Sequence, residues 1–127
     1  MSAPVTLIVN GRPAPKGSRT RNANGGSRPA SRYEKAWTET VAMTALEYAE
    51  TLDPPYYVEI DFRIVRPMKP SHEWPTRGDL DKLIRCTIDG LVKGRLLTDD
   101  AHVMQLYASQ RFAPFGGADI TVQTVPL

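Results

Sequence analysis

The stretch "VEIDFRIV", residues 58–65, constrains the fold more than any other. Val58, Ile60, Phe62 and Ile64 alternate with Glu59, Asp61 and Arg63, and a period of two makes a half-buried strand. One apolar face of such a strand needs cover. Two amphipathic segments offer it. In "SRYEKAWTETVAMTALEYAE", Tyr33, Trp37, Val41, Ala45 and Tyr48 or Ala49 recur at helical intervals, and Ser31 with Glu34 has capping-box spacing. The aromatic stripe is assigned to core packing rather than base stacking, and "DPP" stops the helix. A second helix begins near Asp79 or Leu80. It sets Leu80, Ile84, Thr87, Ile88 and Leu91 on one face and Lys82, Arg85, Asp89 and Lys93 on the other, with Gly94 as C-cap.

The remaining apolar runs are strands. "PVTLIVNG" ends in a turn dipeptide, and "ADITVQTV" follows the "PFGG" turn. "HVMQLYASQRF" alternates through Val103, Gln105, Tyr107, Ser109 and Arg111, although "AHVMQLYAS" also fits a helix. The order β-α-β-α-β-β predicts a small α+β domain with a mixed sheet and two helices. At 127 residues the chain suits a single domain, residues 1–127. Its apolar runs are too short to span a bilayer, and its start has no secretory pattern. The single cysteine, Cys86, fits a reducing, cytoplasmic setting and is expected to be a small, semi-buried side chain.

Charge is unevenly placed. Residues 1–33 hold Arg12, Lys16, Arg19, Arg21, Arg28 and Arg32 and no acid; the remainder carries 10 basic and 14 acidic residues, so +6 and −4 give the net +2. Residues 12–30 are rich in Gly, Pro, Ser and Arg, which predicts a mobile basic loop. A loop of this length in a small domain tends to be functional. Beside an acidic body it either attracts a polyanion, nucleic acid first, or merely solubilises the chain.

The acids of "RGDLDKLIRCTIDG" and the later "DD" pose the chemical question. Asp79 and Asp81 open the second helix, where carboxylates serve either as caps and dipole partners or as metal ligands. Asp99 and Asp100 join them only if the strand that follows starts near the head of that helix. Carboxylates brought together repel unless a cation neutralises them. All-oxygen ligands select Mg²⁺, with Mn²⁺ able to substitute. His72 and His102 have no useful spacing for zinc. Arg85, four residues after Asp81, either pairs along the helix or holds a phosphate.

Together, "GDLDKLIRCTIDGL", "GRLLTDDAHV" and "GRPAPKGSRTR" resemble the RusA family of Holliday-junction resolvases. The resemblance implies a homodimeric, Mg²⁺-dependent endodeoxyribonuclease that resolves four-way DNA junctions by paired symmetric nicks in recombination and repair. It implies Asp79, Asp81 and Asp100 as catalytic metal ligands, with Asp99 in support. Arg85 stands where the family motif has lysine, Lys82 where it usually has asparagine, and His-Val follows the acid pair in place of Gln-Val. Arginine keeps the charge but not the shape or pKa of lysine, so phosphate binding suits Arg85 better than proton transfer. Lys16, Arg19, Arg21, Lys69, Arg77 and Lys82 are expected to contact the DNA backbone. Two alternatives are a DNA-binding module with weak or no catalysis and a metal-dependent phosphohydrolase of small nucleotides.

Overall fold

A computed structural model describes residues 3–17, 19–21, 27–29, 32–48, 50–76 and 78–127, with the backbone alone for 19–21, 27–29 and 32. The elements are β1 (Val5–Asn10), β2 (Arg19–Arg21), β3 (Ser27–Pro29), α1 (Arg32–Leu46), β4 (Tyr56–Val65), α2 (Leu80–Lys93), a 3₁₀ turn (Asp100–His102), β5 (Val103–Ala113) and β6 (Gly117–Thr124). β1, β6, β4 and β5 lie side by side in one mixed sheet, with β4 and β5 parallel and the other pairs antiparallel. This is the expected α+β domain. No helix among the described residues is long and apolar enough to cross a membrane.

The alternation in β4 works as the sequence implies. Val58, Ile60 and Phe62 are fully buried beneath the helices, while Asp61 lies on the opposite face and accepts a hydrogen bond from Ser109 on β5. Val103–Ala113 is a strand rather than a helix. Its backbone groups pair in parallel along the whole of β4, a non-local gain that its local pattern does not reveal.

Two details differ from expectation. Within the segment 12–30, β2 and β3 pair antiparallel as a short ribbon, because Arg19–Arg21 and Ser27–Pro29 can exchange backbone hydrogen bonds without a core face. The Ser31 cap position lies outside the described residues. The buried surface of α2 is also wider than one stripe: Leu83, Cys86 and Gly90 are buried along with Thr87, Ile88 and Leu91, because the helix meets both the sheet and α1. Leu80 and Ile84 only pack against the margin of that core.

The α1–α2 contact is close. Trp37 Nε1 donates to Thr87 Oγ1 at 2.9 Å, and Thr87 Oγ1 donates onward to the Leu83 carbonyl, so both buried polar groups are satisfied. A Cβ on Gly90 would stand 2.7 Å from Val41 Cβ, and one on Gly94 only 2.5 Å from the Ala42 carbonyl oxygen. Gly94 is indeed the C-cap, but its φ is −79°; Arg95 takes the left-handed conformation at φ 62°. Gly94 is required by packing against α1 rather than by its backbone angles.

Gly90→Ala therefore forces the helices apart. Despite its better helix propensity, it is expected to destabilise the fold by about 1–3 kcal/mol, the usual cost of overpacking. Urea unfolding checks this, and an unchanged midpoint would mean the helices separate at no cost.

Candidate active site

Asp79 is the N-cap residue of α2. Its carbonyl accepts from the Lys82 and Leu83 amides, but its side chain makes no capping bond. The carboxylate is exposed, with Lys82 Nζ 3.5 Å from Oδ2. Asp81, in the first turn, is exposed and makes no ion pair or hydrogen bond among the described residues. Arg85 is exposed one turn later and is likewise unpaired among the described residues, so the i,i+4 pairing with Asp81 is not formed. Two carboxylates and a guanidinium thus face solvent at the head of α2 with their hydrogen-bonding capacity largely free.

The other two acids sit elsewhere. Asp99 caps the 3₁₀ turn, its Oδ1 accepting from the Ala101 amide at 3.0 Å. That backbone donor, followed by a shared hydrogen bond with Asp100, holds the Asp99 carboxyl below its ordinary range. The same Asp99–Asp100 hydrogen bond, aided by desolvation and like charge, raises Asp100.

The expectation that Asp99 and Asp100 meet Asp79 and Asp81 within one chain is not met. The segment before the 3₁₀ turn is tied to the start of β4: Tyr56 Oη accepts from the Thr98 amide at 3.1 Å, and the Leu52 amide donates to the Leu96 carbonyl. Asp79 follows the loop that leaves the other end of β4. The two acid pairs therefore flank opposite ends of α2, whose 14 residues rise about 21 Å. Among the described residues no group of three Asp, Glu, His or Cys side chains is close enough to hold a metal ion. Asp100 instead feels the charge of Asp89, near the tail of α2.

The expected DNA contacts are scattered. Lys16 Nζ forms a 2.6 Å ion pair with Asp89, and its amide donates to the Lys82 carbonyl. This hydrogen bond to Asp89 raises the Lys16 pKa, so the ammonium's contribution to the pair lasts through the ordinary lysine range and is lost as pH rises through the raised value. Lys69 lies in the loop after β4. Arg77 and the side chains of Arg19 and Arg21 lie outside what is described. Sequence reasoning missed the Lys16–Asp89 pair; with 73 residues between them, no local pattern signals it. It also missed Glu34, only 7% exposed in the first turn of α1 and with Oε2 unpartnered among the described residues.

A family model described as "Endodeoxyribonuclease RusA" matches residues 10–123. The chain belongs to the RusA family. The match includes the head of α2, the Asp99–Asp100 pair and the segment carrying Lys16. Among curated proteins none matches this RusA chain at a significant level.

Because the Lys16–Asp89 pair is part-exposed, it contributes under about 1 kcal/mol; its effect is positional. Asp89→Asn is expected to speed hydrogen exchange at the Lys16 amide with little change in global stability. Unchanged exchange there would show that the backbone bond to Lys82 needs no help from the ion pair.

Proposed function

We propose that this RusA-family chain is a divalent-cation-dependent, structure-specific endodeoxyribonuclease that resolves four-way DNA junctions by paired symmetric nicks in recombination and repair. The observation that carries this reading is the pair of exposed carboxylates of Asp79 and Asp81 at the head of α2, within the segment the family model matches.

The donor chemistry fits a hard cation, Mg²⁺ or Mn²⁺, because every candidate ligand is a carboxylate oxygen. The spacing within one chain fits less well: Asp79 and Asp81 cannot reach Asp99 and Asp100 along α2. A set containing both pairs needs the helix head of one chain beside the helix tail of another, and a homodimer supplies that twice by symmetry. Met104, Leu106 and Tyr107, each about half exposed on the edge strand β5 just after the Asp99–Asp100 pair, support a second copy at that end. The bound ion would supply water activation and charge stabilisation at the scissile phosphate. Arg85 faces the same solvent as Asp81 and offers two parallel N–H donors to a phosphate oxygen pair. Lys82 partly neutralises Asp79, keeping the helix head receptive to a polyanion.

The test is nicking of an immobile four-way junction, with linear duplex of the same sequence beside it. Paired nicks that require Mg²⁺, vanish with EDTA and spare the duplex are expected. Asp79→Asn should lower the nicking rate more than about 100-fold, since altering even outer-shell partners of a metal costs about 10–100-fold, and should leave junction binding largely intact. Binding without nicking by the unaltered protein would instead favour a DNA-binding module, a reading that the arginine at position 85 also suits.

A further inference from the structure

A cavity of about 680 Å³ opens beside the head of α2, between the segment Gly11–Pro15 and the loop that joins β4 to α2. Gly78, the neighbour of Asp79, is part of its wall. Its size falls in the range of small-molecule sites. Its chemistry is unlike that of the surrounding body. Arg12, Arg66 and Lys69 line it and no aspartate or glutamate does, although residues 34–127 carry 14 acids. None of the three cations makes an ion pair among the described residues.

Aromatic rings hold the two guanidinium groups in place. The Arg12 guanidinium lies 3.9 Å from the centre of the Tyr33 ring, and that of Arg66 lies 5.6 Å from the centre of Phe112. Trp74 leans on His72 with centroids 4.9 Å apart and remains 61% exposed, leaving ring surface uncovered. Five prolines line the cavity, which limits how far its walls can collapse. Gln110 also lines the cavity, and its buried Oε1 has no hydrogen-bond partner among the described residues. A buried acceptor left unpaired asks for a donor from a ligand.

We propose that this cavity takes one unstacked nucleotide of the DNA strand next to the scissile phosphate. Its base stacks on Trp74 and presents an N–H to Gln110, and its phosphates meet Arg12, Arg66 and Lys69. Stacking with a cationic surround is the general chemistry of unpaired-strand recognition and tolerates any base. Stacking is interrupted at a branch point, so extruding a nucleotide there costs less than in a continuous duplex. The inference rests on the nuclease reading only for the occupant's place beside the cut.

The test uses the intact protein and hexathymidylate, (dT)6, with Trp74 as reporter; the other tryptophan, Trp37, is buried. Titration is expected to quench fluorescence to saturation, with the quenching absent in Trp74→Phe. Trp74→Ala, at an exposed position that should not affect folding, is expected to bind (dT)6 about tenfold more weakly and to nick junctions more slowly, with Mn²⁺ affinity unchanged. Unquenched Trp74, equal (dT)6 affinity in Trp74→Ala, or saturation by inorganic phosphate as tight as by (dT)6 would each overturn the proposal. Junction nicking by a protein that fails these tests removes the cavity and leaves the nuclease. Quenching by (dT)6 in a protein that never nicks keeps the cavity and removes the nuclease.

Discussion

The parallel pairing of β4 with β5 governs the arrangement of everything that follows. Parallel neighbours cannot be joined by a tight turn, so the chain has to return along the sheet before starting the second strand. Here α2 makes that return. A helix used in this way has its head at one end of the strands and its tail at the other. The acids bracketing it in sequence are consequently held apart by the whole crossover. Closeness in the chain and closeness in space part company for this topological reason; on the proposed reading, a second protomer reunites the two acid pairs.

The crossover also has to stay rigid if groups at its head are to hold a phosphate in place. Rigidity comes from α1. The Trp37–Thr87 hydrogen bond fixes the register of the two helices, and Gly90 and Gly94, one turn apart, allow their backbones to approach. Lys16 then bridges from the amino-terminal segment to the far half of α2, its amide at Lys82 and its ammonium at Asp89. One residue thereby bridges about two turns of the helix and ties the basic segment to the body. Asp89 is engaged by this cation rather than extending an Asp81–Arg85 ladder, and Arg85 is unpaired among the described residues.

What was legible in the sequence follows from range. β4 and both helices could be read because their periodicity is local and their burial one- or two-sided in a simple way. Val103–Ala113 was ambiguous because its strand character depends on β4, about 40 residues earlier in the chain. The α2 stripe was read too narrowly because a helix packed on two partners buries residues that a single-face pattern assigns to the margin, Leu83 and Cys86 among them. The site residues were picked out by their type and motif spacing, whereas their separation depends on topology. Segment 12–30 looked structureless for want of apolar residues, yet the ribbon of β2 and β3 needs only backbone pairing.

Charge placement links the fold to the proposed chemistry. A nearly neutral protein gains little from long-range attraction to DNA, so its cations have to act locally, within a screening length of about 8–10 Å. The cavity beside Asp79 does this by excluding carboxylates and seating guanidinium groups on aromatic rings, which fixes them without neutralising them. The acids, meanwhile, stand outside at the head and tail of α2, where only a cation would let them share a phosphate's neighbourhood. On the proposed reading, keeping Asp79 clear of the nearby Arg66 and Lys69 preserves both the cationic seat for a nucleotide and the carboxylate for the reaction; a salt bridge between them would disable both.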